Sequence, residues 1–386
     1  MRSLPKDCPY TLDQIYESEL SRSYVVREND RFGEYPNIFA ICYYAVGSDD
    51  LRAVVLSDSG TGLSRWRSKY PSSSQFAHET GWNIATVLEQ TLNPKHAAPY
   101  IVITTHCHFD HIGGIQHLLD AKVSLTVLAS SRDKSYLIPW ENLQQHSLCK
   151  LMHLCAPCYN IRFVDDQSYV TLPLHKVAVT TPIQILHTPG HTPDSISWYD
   201  HSTNMLSVGD MLYERESSQS RSGSGGQWAE EPPMPTIFSQ DSDLRDWSMS
   251  MHRLLDFVRI ENARLERDPL DHLSTISNTL QHEEDEWVIV TRAMTNPRVA
   301  LSAAHVTVKT DAEMAILDML SFMLRVQLDH VPRVQVHNSE GRAAVWLWDD
   351  HLALTKHDAF TAKSRFSVQA PWHIIHPPVS PENNFG

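Results

Sequence analysis

Residues 105–111 read Thr105-His106-Cys107-His108-Phe109-Asp110-His111 and continue into Ile112-Gly113-Gly114. Four side chains that can bind a metal ion lie within six residues, directly after an apolar run over residues 100–105 that predicts a buried strand. Two histidines one residue apart can reach one ion from a tight loop, and the Asp110-His111 pair can reach a second ion about 3.5–4 Å away. The segment therefore predicts the start of two adjoining metal sites.

Three other segments place a possible metal ligand just after a predicted strand. In Leu186-His187-Thr188-Pro189-Gly190-His191-Thr192, the Pro-Gly turn presents His191. Val208-Gly209-Asp210 ends a strand with a carboxylate, and Ala303-Ala304-His305 ends another with an imidazole. A single His-x-His pair is most often a turn with its imidazoles in water. The ordered recurrence of ligands after strands favours a metal centre instead.

The rest of the chain alternates between strand and helix patterns. Such alternation predicts a layered α/β domain with helices packed outside sheets. The predicted strands are a hairpin over Asn37–Ser59, then Lys122–Leu128, Ile161–Val164, Val170–Leu174, Ile183–Leu186, Ser195–Tyr199, Met205–Val208, Trp287–Thr291 and Val299–Ala303. The predicted helices cover residues 76–92, 112–119, 131–160 and 243–258, and a Thr310-Asp311-Ala312-Glu313 capping box starts another that runs to about Leu328. Residues 217–226 predict a surface loop.

Composition bounds the class of protein. The net charge of −14 opposes binding to nucleic acid, which depends on clustered basic residues. The six cysteines are few for 386 residues and fit reduced thiols in a cytosolic enzyme. No stretch of about eighteen apolar residues predicts a transmembrane segment, and the N-terminus has no secretory pattern. We expect a cytoplasmic protein, and the sequence leaves its oligomeric state open.

The combination of HxHxDH, a downstream HTPGHT, a strand-ending Gly-Asp and a late strand-ending His resembles the metallo-β-lactamase superfamily over about Tyr35 to Val308. The resemblance implies an α/β fold of two sheets between outer helices, an αββα four-layer sandwich, with the ligand loops at one edge. In this arrangement residues 1–33 form an N-terminal arm or short helix, residues 34–310 the metallo-β-lactamase domain, and residues 311–386 a C-terminal extension of helix and strands packed on it.

The resemblance also assigns the metal ligands. It places His106, His108 and His191 on a first ion, Asp110, His111 and His305 on a second, and Asp210 between the two. This set of imidazoles and carboxylates suits zinc, and iron or manganese are alternatives. The Asp58 carboxylate in Ser57-Asp58-Ser59-Gly60 corresponds to a residue that supports the metal loop.

The implied chemistry is hydrolysis by a metal-activated water, with Asp110 as the catalytic residue that orients the water. The expected partner is a small-molecule ester or thioester. The loop positions are most similar to the thioesterase-like branch, which includes acyl-CoA hydrolases and hydroxyacylglutathione hydrolases. A lactone or carboxylic ester hydrolase and a non-catalytic metal-binding member are the alternatives. The sequence identifies no dedicated general acid.

Several other side chains are interpreted as structural. We expect Cys107 to point into the core by strand-like alternation, and His187 to fix the turn that carries His191. The Cys155-Ala156-Pro157-Cys158 pair lacks a second cysteine pair and is interpreted as structural. The remaining histidines of interest are assigned to the surface: His351, His357 and His373.

Overall fold

The computed structural model describes most of the chain. The described residues are 4–5, 8–18, 20–45, 47–64, 81–174, 177–215, 234–267, 298–336, 344–352 and 363–377. The predicted 217–226 loop, the predicted strand over Trp287–Thr291 and His357 lie outside these ranges.

The first sheet contains seven strands that follow one another in chain order. Strands β1 to β4 are antiparallel, and β4 to β7 are parallel. The predicted hairpin over Asn37–Ser59 is confirmed as β3 and β4. The seven strands are β1 Tyr10–Glu17, β2 Ser21–Glu28, β3 Asn37–Tyr44, β4 Leu51–Ser57, β5 Tyr100–Ile103, β6 Leu125–Ser130 and β7 Ile161–Val164.

Strands β1 and β2 correct the interpretation of residues 1–33 as an arm or short helix laid on the domain. Strand β1 lies at the edge of the sheet and pairs only with β2, so most of its side chains stay partly exposed and its sequence is polar. Strand β2 is buried on both faces, with Val25 and Val26 packed into different core clusters. The N-terminal segment is therefore part of the central sheet.

The second sheet contains six strands in the order β14-β13-β11-β10-β9-β8. Strand β9 is longer than the sequence predicts, and β13 confirms the predicted strand at Val299–Ala303 with slightly shorter bounds. The six strands are β8 Tyr169–Leu174, β9 Val177–His187, β10 Ile196–Asp200, β11 Met205–Ser207, β13 Ala300–Ser302 and β14 Thr310–Asp311.

Two further groups of elements complete the described chain. A third, four-stranded sheet has the order β12-β17-β16-β15, with bounds β12 Thr236–Ile237, β15 Arg333–Val336, β16 Val345–Trp348 and β17 Val368–Pro371. The helices are α1 Ile84–Thr91, α2 Phe109–Ile112, α3 Ile115–Asp120, α4 Lys134–Leu137, α5 Trp140–His146, α6 Leu244–Arg267, α7 Ala312–Gln327 and α8 Trp372–Ile375. Among the described residues, no helix is long and apolar enough to cross a membrane.

Three hydrophobic clusters show that the layers are stacked as helices, sheet, sheet, helices. On β4, Val54 and Leu56 pack in the cluster that contains α1 and α3, whereas Ala53 and Val55 pack in the cluster that joins the two large sheets. Strand β9 alternates in the same way, since Ile185 faces the first sheet and Leu186 faces α6 and α7. Both strands are covered on both faces, which is the αββα arrangement.

The segment 131–160 is less helical than its sequence predicts. It contains only the short helices α4 and α5, which are separated at Pro139, a residue that has no N–H to continue a helix. After α5 the chain turns, with left-handed backbone at Leu148 and His153. Helix α7 has Asp311 rather than Thr310 as its N-cap, and the Asp311 side chain accepts a hydrogen bond from Met314 N.

The C-terminal elements share the core of the domain. Helix α7, strand β17 and Trp348 of β16 contribute to the same cluster as α6 and the outer face of the second sheet. Helices α6 and α7 therefore cover the second sheet as α1 and α3 cover the first.

Candidate metal centre

All the predicted ligands follow strands at one edge of the two large sheets, either on loops or, for Asp110 and His111, in the short helix α2. The segment 104–111 follows β5 and runs into α2, the turn with His191 follows β9, Asp210 follows β11, and His305 follows β13. The two sheets face each other, so the loops that leave them at this edge can meet. The structure brings all seven side chains into two adjoining groups, each with ligand atoms within 4.8 Å of one another.

The first group contains His106, His108 and His191, all buried. His191 Nε2 lies 3.1 Å from His108 Nδ1. The ring centroids of His106 and His108 are 4.5 Å apart, and those of His106 and His191 are 4.6 Å apart. Three imidazoles thus face one small volume from two different loops.

The second group contains Asp110, His111, Asp210 and His305, which are also buried. Asp110 Oδ2 lies 3.3 Å from Nε2 of both His111 and His305. Asp210 Oδ2 lies 3.5 Å from His111 Nε2 and 3.4 Å from His305 Nε2.

Asp210 also reaches toward the first group. The same Oδ2 atom lies 3.8 Å from His191 Nε2. One carboxylate oxygen therefore stands between the three-histidine group and the mixed group.

The spacing of the side-chain nitrogens and oxygens in these groups suits binding to a metal ion better than hydrogen bonding among the side chains themselves. Ligands at about 2.0–2.1 Å from a tetrahedral ion stand about 3.3 Å apart, close to the spacings in both groups. His106 Nε2 and Asp210 Oδ1 are buried and have no hydrogen-bond partner among the described residues. Buried polar atoms are normally satisfied, so these two atoms call for a ligand that is not part of the chain.

Burial and mutual repulsion keep the first group neutral. Burial lowers the pKa of His106 well below its usual range, and the neighbouring imidazoles lower it further. Burial and His191 lower the pKa of His108 to about 3. Burial likewise lowers the pKa of His191. Neutral imidazoles have free lone pairs, which is the state that a metal ion requires.

The second group carries opposite charges. Although burial lowers the pKa of His111 and His305, the carboxylates of Asp110 and Asp210 raise both pKa values well above the usual range. The two histidines in turn lower the pKa values of both aspartates well below theirs, against the effect of burial. A cation that binds here would take the place of these protons.

Asp58 supports the metal loop, as the resemblance implies. It is fully buried just after β4, and its Oδ2 accepts hydrogen bonds from His111 Nδ1 at 2.9 Å and from Thr105 Oγ1 at 2.9 Å. Its Oδ1 accepts from Thr105 N at 2.7 Å. Because the Asp58 carboxylate accepts a hydrogen bond from His111 Nδ1–H, the lone pair of the neutral ring lies on Nε2, which faces the second group.

We expect Asp58→Ala to lower the affinity of the second group for metal by about 10- to 100-fold, because His111 loses the acceptor that fixes its ring. Competition of the metal-free protein with a chromophoric chelator measures this change. Asp166→Ala is a suitable control, because Asp166 pairs with Arg253 and lies outside both groups. Equal affinities in Asp58→Ala and the wild type would contradict the supporting role.

The turn that carries His191 is held by helix α6 and the residues before it. Ser242 Oγ donates to the His191 carbonyl at 2.7 Å, and Ser250 Oγ donates to the Pro189 carbonyl at 2.7 Å. His187, predicted to fix this turn, instead donates from Nε2 to the Val164 carbonyl at 3.0 Å. That role therefore belongs to serines that the sequence pattern does not single out.

The cysteines predicted to be structural and two other aromatic side chains are either buried in the core or exposed at the surface. Cys107 is buried in the cluster below the metal loop, as predicted. Cys155 and Cys158 are exposed and not joined in a disulfide. His373 is exposed. Trp348 of β16 is a core side chain with no exposed surface.

Two further residues lie beside the second group and belong to none of the sequence motifs described above. The ring of Tyr213 is fully buried and lies 5.1 Å from that of His305, centroid to centroid. Burial and the neighbouring Asp110 carboxylate raise the pKa of Glu34 to about 8. The sequence signal for Tyr213 is its place three residues after Asp210. Glu34 has none.

Comparison with known proteins gives a family match. The model of the Metallo-beta-lactamase superfamily matches residues 53–265, more than half of the chain. Among solved structures, a metallo-beta-lactamase superfamily protein from Sulfolobus tokodaii is 14% identical with a TM-score of 0.40, covering 86% of this chain and 91% of that one.

Two curated relatives are similar over part of their length. A protein of Aspergillus versicolor named "Putative transcription factor avaE" is 27% identical over 49% of this chain and 53% of its own. The acyl-coenzyme A thioesterase MBLAC2 of Gallus gallus is 26% identical over 42% of this chain and 52% of its own. The chain spans about half the length of the curated relatives it matches.

Proposed function

The chain belongs to the metallo-β-lactamase superfamily, and from that premise we propose that it is a dinuclear metal-dependent hydrolase of ester or thioester carbonyls. We propose zinc as the metal and an acyl-CoA-type thioester as the substrate. The observation that carries the proposal is the position of Asp210 Oδ2, which lies within 3.8 Å of His191 Nε2 in the first group and of His111 Nε2 and His305 Nε2 in the second group.

The donor sets support two ions rather than one. His106, His108 and His191 would hold the first, and Asp110, His111 and His305 the second, with Asp210 shared. The imidazole and carboxylate ligands suit zinc, and iron or manganese are the alternatives that availability would select. Divalent ions bound there would supply a nucleophile at neutral pH, because they lower the pKa of a bound water from about 15.7 toward 7.

The residues of the chain have three tasks in this reaction. The buried, neutral imidazoles keep their lone pairs directed at the centre. Asp58 fixes the ring of His111 through its Nδ1 proton. Asp110 would bind with one oxygen and use the other to accept a hydrogen bond from the attacking water and orient it, which makes it the proposed catalytic residue.

The choice of a thioester draws on the likeness to the chicken acyl-coenzyme A thioesterase, which is partial. The net charge of −14 supports a small-molecule substrate over nucleic acid. A cytoplasmic location is part of the same proposal.

A substrate panel on zinc-reconstituted protein tests the function. We expect turnover of a long-chain acyl-CoA, loss of that turnover after removal of metal with a chelator, and recovery on adding zinc. A γ-lactone and bis(p-nitrophenyl) phosphate are the other substrates. Turnover of the lactone alone would contradict the thioester and identify a lactone as the substrate class. A metal-loaded protein that hydrolyses none of the three compounds would overturn the proposal in favour of a non-catalytic metal-binding protein.

His108→Ala and His373→Ala form a matched pair for the same assay. His108 is buried in the first group, whereas His373 is an exposed histidine outside both groups. Activity is expected to disappear in His108→Ala and to stay at the wild-type level in His373→Ala. Equal activity in the two variants would contradict the assignment of the site.

A further inference from the structure

The segment that joins β2 to β3, together with the first residue of β3, carries two buried polar side chains that the proposed reaction does not use. Asp30 and Asn37 both have no exposed surface. This segment and His305 both lie outside the residues 53–265 that the family model matches. The segment is distant from His305 in sequence but contacts it in space.

Asp30 shapes the turn over residues 31–35 by accepting three backbone hydrogen bonds. Its Oδ1 accepts from Phe32 N at 2.6 Å and from Gly33 N at 3.0 Å, and its Oδ2 accepts from Tyr35 N at 2.6 Å. The turn includes a left-handed backbone at Tyr35, with φ of 47°. A side chain with two acceptor oxygens can hold all three N–H groups at once.

That turn presents a backbone carbonyl to the last metal ligand. The Glu34 carbonyl oxygen lies 2.7 Å from His305 Nδ1. A carbonyl only accepts, so Nδ1 must be the donor, and in the neutral ring the lone pair is then on Nε2. Nε2 is the atom that lies 3.3 Å from Asp110 Oδ2 and 3.4 Å from Asp210 Oδ2.

Asn37 holds the backbone just before His305. Asn37 N donates to the Ala304 carbonyl at 2.6 Å, and Asn37 Nδ2 donates to the Ala303 carbonyl at 3.2 Å. The Asn37 Oδ1 atom accepts from Arg27 Nε at 3.0 Å, which fixes the amide orientation. The loop that carries His305 is therefore tied to the start of β3.

We infer that Asp30 and Asn37 are positioning residues, which set the orientation and the tautomer of His305. The inference rests on the proposed function for the role of His305 as a ligand. The hydrogen bond from His305 Nδ1 to the Glu34 carbonyl belongs to the chain alone and can be observed without metal.

The first test is nuclear magnetic resonance of the metal-free protein with ¹⁵N-labelled histidine. The wild type should show a hydrogen-bonded Nδ1–H signal that disappears in His305→Gln, which identifies it. Asp30→Asn should lose or shift this signal, because an amide has one acceptor oxygen where the carboxylate has two. Retention of the signal unchanged in Asp30→Asn would overturn the inference.

Asp200→Asn is the matched control. Asp200 is equally buried and accepts three hydrogen bonds, from Ser202 N, Ser202 Oγ and Thr203 Oγ1. Asp200 is the last residue of β10. The strand β9 residue nearest the turn that carries His191, His187, pairs with Ile196 at the opposite end of β10, so Asp200 lies at the end of the sheet away from the site. Asp200→Asn should be less stable than the wild type but keep the Nδ1–H signal of His305. If Asp30→Asn also loses stability and keeps this signal, its effect is purely structural and the positioning role is refuted.

The second test is metal titration of Asn37→Ala, which also serves if Asp30→Asn does not fold. We expect affinity at the second group to fall about 10-fold, with the first group unchanged, as is typical for residues that orient a ligand. Equal loss at both groups, or none, would overturn the role of Asn37. A wild type that shows the His305 signal but binds no zinc would contradict the proposed function and leave the positioning of His305 supported.

Discussion

Asp210→Ala is expected to lower kcat/KM for the hydrolysed substrate by about 10³-fold or more. Its Oδ2 atom is the one carboxylate oxygen that lies within 4 Å of His191, His111 and His305 among the described residues. Removing it would leave the two groups without a shared ligand and would remove negative charge beside two cations. Steady-state kinetics and metal content on the same sample measure both effects.

The control for this substitution is Asp200→Ala. It also removes a buried carboxylate, but one that accepts hydrogen bonds from Ser202 and Thr203 and takes no part in either metal group. We expect the control to be less stable and to keep its metal and its kcat/KM below the unfolding temperature. An Asp210→Ala variant as active as this control would contradict the shared role of Asp210.

Gly114→Ala is expected to lower the free energy of unfolding by about 3 kcal/mol, the upper end of the usual cost of forcing an extra carbon into a packed interior. A Cβ at Gly114 would lie within 3.0 Å of the Ser59 carbonyl oxygen, a backbone atom that cannot move freely. Ser59 N and Oγ both donate to the His111 carbonyl, at 2.7 and 2.9 Å. The clash would therefore reach the metal loop, and denaturant unfolding measures its cost.

Gly47→Ala separates the clash from the general cost of replacing glycine. Gly47 has φ of +66° and nothing within 4 Å of the added Cβ, so its substitution should cost about 1 kcal/mol. Gly114→Ala should also lower metal affinity, whereas Gly47→Ala should not. Similar losses of stability in the two variants would argue against the close approach of Gly114 to Ser59.

The convergence of the seven side chains could be predicted from the sequence because each of them follows an apolar strand. Ile103, Ser207 and Ser302 end buried strands, and side chains of the two groups come within a few residues of each end. Loops at the same edge of stacked sheets meet in space, so a pattern spread over 200 residues describes one site. Gly113 and Gly114, which follow His111, make room for the backbone of residues 59–61.

The support of the site could not be predicted in the same way. Asn37 donates to a backbone carbonyl 266 positions away, and the turn that Asp30 shapes meets the His305 ring 271 positions from Glu34. No local periodicity encodes such contacts. The sequence of β1 does not predict a strand, because an edge strand keeps polar side chains that also occur in a surface arm. The apolar residues of segment 131–160 suggest one long helix, but they pack on the first sheet from two short helices and the turns that follow.

The most direct test of the account is a crystal structure of the zinc-loaded protein with anomalous scattering measured at the zinc edge. We expect two peaks, one among His106, His108 and His191 and the other among Asp110, His111 and His305, about 3.5–4 Å apart with Asp210 between them. Zinc-loaded crystals with no peak at either group would contradict the central claim that these seven side chains form a metal centre.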